Sequence, residues 1–96
     1  MINIGVDEVR RILNKTITND GILIAVDRKT DDELLKADIH KDLELDSLDF
    51  EELIIELDIQ YSIYVDSSMF AESLFQKEST VENFIKTVNE CGIYSA

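Results

Sequence analysis

The 96-residue chain has no proline and no tryptophan, and it contains three glycines, one cysteine and one histidine. The shortage of proline and glycine leaves long uninterrupted stretches, which favour helices joined by polar loops. Cys91 cannot form a disulfide within the chain, which fits a reducing compartment. Because His40 is the only histidine, the chain has no Cys/His cluster for a structural zinc, and we expect no metal site.

Basic side chains are also scarce, with 9 lysines and arginines against 21 aspartates and glutamates and a net charge of −12. A field of this sign repels nucleic acid phosphates and anionic lipid headgroups, so we expect no nucleic acid partner. Proteins with basic surfaces are the natural partners instead. The hydrophobic fraction of 45% is ordinary for a folded domain, so the acidity indicates a solvated surface rather than disorder.

Long apolar runs are missing as well. No run approaches the length of a membrane span, and the first residues lack the basic start and apolar stretch of a secretory signal. We therefore expect a cytoplasmic protein with no membrane span. The length predicts a single domain over residues 1–96, a monomer with one modest core that is too small for an enclosed active site.

Apolar residues recur every three or four positions near the start of the chain, which predicts an amphipathic helix over about residues 5–17. The connection over residues 18–45 is longer than is usual between bundle helices, so it must contain some structure. The core-facing residues of the helix are Val6, Val9, Ile12, Leu13 and Ile17.

Three features divide this long connection. Residues 19–21, Asn-Asp-Gly, are a turn signal, and Thr30 with the acids after it favours one or two capped helical turns. Between them, residues 22–26 form a short apolar run. This run is either extended or a loop anchored by its aliphatic side chains, and we prefer the loop. The side chains that we expect on the core are Ile22, Ile24 or Val26.

A further periodic pattern predicts a main helix over about residues 47–61, with Asp46 or Ser47 as its N-cap. A short helix from Asp66 to about Phe75 follows. Ser79 and Glu82 have capping-box spacing, which predicts the start of a last helix that ends near Gly92. The core-facing residues are Phe50, Leu53, Ile54, Leu57 and Tyr61 in the main helix, Met69, Phe70 and Leu74 in the short one, and Val81, Phe84, Ile85 and Val88 in the last.

Ser47 stands between acids at the start of the main helix, in the sequence Asp46-Ser47-Leu48-Asp49. The helix then presents an acidic outer side, yet two apolar residues fall near that side. Acids with apolar spots are typical of a docking helix, although a solvated helix face is the simpler interpretation. The residues of this outer side are Asp46, Leu48, Asp49, Glu52, Ile55, Glu56 and Asp58.

With Asp42-Leu43 before this tetrapeptide, Glu52-Leu53-Ile54 and Leu57 after it, and an aromatic at Tyr61, residues 39–89 resemble the acyl carrier proteins and their peptidyl carrier relatives. The predicted helix at residues 6–17 matches the opening helix of the family in position and type. The resemblance implies an all-α, acyl-carrier-protein-like four-helix bundle with a long first loop and a short third helix.

The resemblance also implies a function. Ser47 would accept a 4′-phosphopantetheine group from coenzyme A, transferred by a separate phosphopantetheinyl transferase. The thiol of that arm would carry acyl or aminoacyl groups as thioesters to acyl-processing enzymes with basic docking patches. The family's partners recognise the main helix through its acids, and in the family the bundle shelters the acyl chain. The candidate sheltering residues here are Phe50, Ile54, Leu57 and Tyr61.

The chain departs from the family pattern at several positions. Glu44 replaces the glycine that many members have two residues before the Asp-Ser pair, and Glu51 replaces an apolar contact residue. The first connection is longer, and Val65-Asp66 lacks the proline often found at that turn. These departures bear on which pathway the chain would serve, whether fatty acid, polyketide, peptide or cell envelope.

Two other interpretations compete with the carrier. Ser47 is an ordinary N-cap in the simplest case, and the chain is then an unmodified carrier-like bundle that binds a protein partner through its acidic helix. Catalysis is a distant third, because Asp46 and Asp49 have no pocket and no nucleophile near them except Ser47. We therefore expect that the chain is not an enzyme.

Overall fold

The structure is a computed structural model and describes residues 2–66 and 80–94. These residues form a mostly helical domain with one small strand pair. The helices are α1 (Val6–Thr16), α2 (Asp20–Arg28), α3 (Asp31–Lys36), α4 (Ser47–Tyr61) and α5 (Val81–Cys91), and the strands are β1 (Ile63–Tyr64) and β2 (Ile93–Tyr94). None of the described helices is both long and apolar enough to cross a membrane.

The core lies where α1 packs against α4 and α3 packs against α5. Their apolar faces follow the predicted period, so the predictions for α1 and α4 are confirmed, including the bounds of α4. Phe50 of α4 meets Phe84 of α5 edge to face, with ring centroids 5.8 Å apart. The buried residues of α1, α4 and α5 include Val9, Ile12, Leu13, Phe50, Leu53, Leu57, Val81, Phe84 and Val88.

The preferred interpretation of residues 22–26 as a loop, and the alternative of an extended run, are both wrong, because these residues lie in α2. The Asn19 side chain caps this helix by accepting from the Ile22 amide at 3.1 Å. Val26 is buried and Ile22 and Leu23 are half-buried, whereas Ile24 is exposed. Ile22, Leu23 and Val26 have the three- and four-residue spacing of one helix face. In an extended strand, Ile22, Ile24 and Val26 would instead share a face.

The predicted cap at Thr30 is confirmed. Its side chain accepts from the Glu33 amide at 3.2 Å, and the Glu33 carboxylate accepts from the Thr30 amide at 3.0 Å. This capping box starts α3, whose Leu34 is buried in the core. The long first connection therefore holds two capped helices.

The last helix is confirmed, but its predicted cap is wrong by one residue. Thr80 is the N-cap, and its hydroxyl accepts from the Asn83 amide at 3.2 Å. Thr80 forms an antiparallel bridge with Asp38, and the Val81 amide donates to Ala37 O at 3.0 Å. These bonds hold Thr80 extended, so the helix begins at Val81. The predicted partner, Ser79, lies outside the described residues, as does the short helix predicted through Phe75.

Gly92 ends α5, as predicted, and leads into β2. In the antiparallel pair, Ile63 lies opposite Tyr94 and Tyr64 opposite Ile93. A Cβ on Gly92 would come within 2.9 Å of the Ile2 side chain and 2.6 Å of Val88 O. The close approach of these segments therefore requires glycine. The sequence analysis did not predict this strand pair, because two-residue strands have no period to detect.

Candidate functional site

The candidate site is the first turn of α4. Asp46 is the N-cap, and its carboxylate accepts from the Asp49 amide at 2.9 Å. The Asp49 carboxylate accepts in return from the Asp46 amide at 3.1 Å. Ser47 is therefore the first residue of the helix and not its cap. Its side chain is exposed, and no hydrogen bond joins it to another described residue.

The segment before Ser47 holds the head of α4 in place. Leu43 and Leu45 are buried, and the Leu45 amide donates to Ile39 O at 3.1 Å. His40 Nδ1 lies 2.7 Å from Leu45 O, so the tautomer protonated on Nδ1 donates to this carbonyl. Between the two buried leucines, Glu44 has a φ of 54°, in the left-handed region that favours glycine.

A tight turn supports this segment from the other side. The Asp38 carboxylate accepts from the amides of His40 and Lys41 at 2.9 and 2.8 Å. The Asp42 carboxylate accepts from the Asp38 amide at 2.8 Å. Sequence reasoning missed the contributions of Asp38 and His40. An aspartate side chain often accepts from the backbone amide two residues later, in an Asx turn, so Asp38 itself was the signal from which this turn could have been predicted.

The first turn of α4 suits an anionic substituent on Ser47. The amides of Ser47 and Leu48 have no partner within the helix, and the positive end of the helix dipole lies beside them. The Asp46 and Asp49 carboxylates add negative charge nearby, but each accepts a backbone amide of the capping box. The first turn of α4 therefore offers an accessible hydroxyl beside unpaired amides. His40, the chain's one histidine, uses its Nδ1 to bond the Leu45 carbonyl.

The structure brings the predicted docking residues together on the outer side of α4. Asp46, Leu48, Glu52, Ile55 and Asp58 are exposed, and Leu48 and Ile55 keep 69% and 55% of their surface. Asp49 and Glu56 are half-buried, and Glu56 accepts from the Gln60 amide group at 2.9 Å. Glu51, which departs from the family pattern, is exposed on the same helix.

Sequence reasoning missed one residue of this surface. Ile59 is 69% exposed and lies eleven positions after Leu48 and four after Ile55, so the three side chains form one apolar stripe. Acids seven residues apart flank it, Glu51 with Asp58 on one side and Asp49 with Glu56 on the other. Helical spacing alone would have found Ile59.

The candidate sheltering residues divide into two groups. Phe50 and Leu57 are buried core side chains. Ile54 and Tyr61 are half-buried, and Ile54 lines a cavity of about 230 Å³ between α4 and the segment after β1. A second cavity of about 180 Å³ lies beside the head of α4, against the end of α1 and the start of α2, and Asp49 lines it. The expectation that Asp46 and Asp49 have no pocket near them is therefore wrong for Asp49. Within residues 2–66 and 80–94, no three acidic, histidine or cysteine side chains converge as a metal site.

No protein-family model, curated protein or solved structure matches this chain. The head of α4 and the surface beside it are therefore the features from which a function can be proposed.

Proposed function

We propose that the protein is an acyl carrier, with Ser47 as the attachment point of a 4′-phosphopantetheine arm. The observation that carries the proposal is the division of roles at the head of α4. Asp46 caps the helix, so the exposed Ser47 hydroxyl has no structural task there. This argues against the interpretation in which the serine is present only as an N-cap.

The backbone before Ser47 supports the same proposal. Glu44 occupies the place where many carrier proteins have glycine, and it adopts a positive φ of 54°. A left-handed residue at this position turns the chain between two buried leucines, Leu43 and Leu45. Glycine adopts this conformation without strain, so the backbone at residue 44 suits the residue of the family pattern although Glu44 stands there.

The residues present also fit the proposed group. A phosphodiester on Ser47 would lie at a helix N-terminus, where unpaired amides and the dipole stabilise negative charge. The bound arm would supply a thiol that holds acyl or aminoacyl groups as thioesters. This chain would contribute the hydroxyl, its presentation and the docking surface, and a separate transferase would supply the catalysis.

The proposed architecture is the carrier-type bundle, with α1, α4 and α5 as three of its helices. Helices α2 and α3 fill the long first connection. The acids flanking the stripe of α4 would attract the basic docking patches of partner enzymes. Such complementarity raises encounter rates, whereas exposed ion pairs add little affinity, which suits a carrier that visits several enzymes.

Incubation of the protein with coenzyme A and a permissive phosphopantetheinyl transferase tests the proposal. Intact-mass measurement should show the addition of one phosphopantetheine group, and tandem mass spectrometry should locate it on Ser47. Ser47→Ala should show no addition, whereas Ser62→Ala, at the other end of the same helix, should be labelled like the wild type. An unlabelled chain, under conditions that label a known carrier, would contradict the proposal.

Stability measurements separate loss of the attachment point from loss of the helix. Because Asp46 is the cap, Asp46→Ala should lower the unfolding free energy by about 1 kcal/mol, and Ser47→Ala should change it by less than about 0.5 kcal/mol. Urea unfolding followed by circular dichroism gives both values. A loss of about 1 kcal/mol or more in the unfolding free energy of Ser47→Ala would show that the serine has a structural role.

A further inference from the structure

The apolar stripe of α4 does not end on the helix. Ile55 and Tyr64 line the same cavity, between α4 and β1. Tyr64 lies opposite Ile93 across the strand pair, and these two side chains are 50% and 61% exposed. The exposed apolar surface therefore runs from α4, across the cavity, onto the strand pair. We call the set Leu48, Ile55, Ile59, Tyr64 and Ile93 the apolar track.

Every charged residue of α4 is acidic. Glu51 and Asp66 line the cavity. Asp58 lies seven residues after Glu51, on the same side of α4. No lysine, arginine or histidine occurs between Lys41 and Asp66. Exposed apolar side chains rimmed by charge are typical of a protein interaction site, and here the complement is a basic rim.

The cavity indicates the kind of side chain that would fill it. Its volume is about 230 Å³, and Ile54, Ile55, Tyr64 and Val65 supply its apolar walls. Because a cavity of about 150 Å³ can hold benzene, this one has room for a large apolar side chain. A second copy of the chain is a poor occupant, since two molecules with a net charge of −12 repel each other.

We propose that the apolar track binds a basic amphipathic helix of a partner protein. One large apolar side chain of that helix fills the cavity, and its neighbours contact Tyr64 and Ile93. Lysines or arginines at its edges face Glu51 and Glu52, which are exposed acids of α4. This is helix-in-groove recognition, in which apolar anchors fix the register and rim charges steer the encounter. The proposal includes the strand pair and does not depend on modification of Ser47.

An NMR titration tests it with a synthetic amphipathic helix made of leucine and lysine. The amide shifts of the apolar track, including Tyr64 and Ile93, should move on titration. Tyr64→Ser and Ile93→Ser should each weaken binding about 5-fold or more, the loss expected for a contact worth about 1 kcal/mol. Ile24→Ser is the matched control, because it removes a similarly exposed isoleucine from α2 and should not change binding.

Three outcomes would overturn the proposal. Unchanged affinity in both strand-pair variants would confine binding to α4. Dimerisation of the free protein through the same residues, seen by ultracentrifugation, would make a second copy the occupant. Nuclear Overhauser contacts from the ring of Phe70 or Phe75 to Tyr64 in the free protein would show that the chain fills the cavity itself. Circular dichroism of each variant ensures that a loss of binding is not a loss of fold.

Discussion

Glu44 and Ser62 are the described non-glycine residues with a positive φ, and they lie just before and just after α4. Ser62 ends the helix in a left-handed cap and donates its amide to Asp58 O at 2.9 Å. Glu44 turns the chain toward the head of the helix. Both ends of α4 are thus set by conformations that cost an L-residue about 1–2 kcal/mol.

Replacement of Glu44 by glycine should therefore stabilise the protein. The relief of left-handed strain exceeds the added entropy of glycine in the unfolded chain, and we expect a gain of about 0.5–1 kcal/mol in urea unfolding. Glu44→Ala removes the same charge but keeps the Cβ atom, so it should not share the gain. Equal gains in the two variants would attribute the effect to the lost carboxylate.

At this scale the sequence predicts Ser47 as the attachment point, but it does not predict the hydrogen bonds that hold the backbone around it. The acid-serine pair can be recognised directly in the sequence, and so can Leu48, Ile55 and the flanking acids. The capping role could belong to Asp46 or Ser47, and only the hydrogen bond to the Asp49 amide assigns it to Asp46. The bond between His40 and Leu45 O depends on a turn that no periodic pattern reveals.

At the scale of elements, Arg10 of α1 joins the two helices of the first connection. Its guanidinium donates to Val26 O at 3.0 Å and Lys29 O at 2.6 Å, at the end of α2. It also pairs with the Asp31 carboxylate at 3.2 Å, at the start of α3. One side chain thus satisfies terminal carbonyls of one helix and neutralises the first acid of the next.

Arg10→Ala should lower the unfolding free energy by about 2 kcal/mol, because it leaves part-buried carbonyls without a charged donor. Arg10→Lys should recover only part of this loss, since one ammonium cannot reproduce the planar fork of donors. Arg11→Ala removes an exposed neighbour and should cost less than about 0.5 kcal/mol. A lysine variant as stable as the wild type would show that charge alone is sufficient.

The capping box of α3 gives a pH dependence. The hydrogen bond from the Thr30 amide, followed by that with the Thr30 side chain and the charge of Lys29, lowers the pKa of Glu33. A carboxyl whose folded pKa is depressed adds stability above its unfolded pKa, about 4.3, and loses it as the pH falls through the folded value. The contribution is therefore present at pH 7 and disappears in more acidic solution.

Glu33→Gln should accordingly be less stable than the wild type at pH 7, and the difference should shrink as the pH falls below about 4. Urea unfolding at pH 7, 5 and 3 measures it. Asp32→Asn, which removes an exposed acid next in sequence, serves as the control. If the Glu33→Gln difference were constant across this range, ionisation of the cap would not contribute.

Elements with a strong period were predictable, and so was α3 from its capping residues, whereas α2 and the strand pair were not. The stripes of α1, α4 and α5 repeat over eleven to fifteen residues, enough to fix both type and face. Helix α2 has only nine residues, and its single buried side chain, Val26, left its period ambiguous. The Asp38 to Thr80 bridge, which moves the start of α5 by one residue, is a contact between distant parts of the chain.

At the scale of the whole molecule, charge is divided unevenly. The basic residues of α1, α2 and α3 lie before residue 42, and α4 carries acids alone. Close packing of acids raises the electrostatic free energy of the folded state. Under the proposed function the same acids would favour encounters with basic partners, and stability and recognition would then make opposite demands on α4.

The melting temperature should therefore rise with salt. Between about 0.01 and 0.15 M, the screening length falls from about 30 to about 8 Å, and repulsion among exposed acids weakens. A gain of about 1 kcal/mol would raise the melting temperature by roughly 4–8 °C. The double variant Glu51→Gln with Glu52→Gln, which removes two exposed acids of α4, should respond less. A melting temperature that stays flat as salt and magnesium increase would contradict this prediction.

The N-terminal segment is attached to the last helix by a pair of hydrogen bonds. The Ile4 amide donates to Asn89 Oδ1 at 2.8 Å, and Asn89 Nδ2 donates to Ile4 O at 3.1 Å. Ile2 and Ile4 are buried beside this pair. Since 85 positions separate the two residues, a growing chain cannot bury its first isoleucines until α5 has left the ribosome. Until then, Ile2 and Ile4 lack the packing and hydrogen-bond partners that bury them in the folded chain.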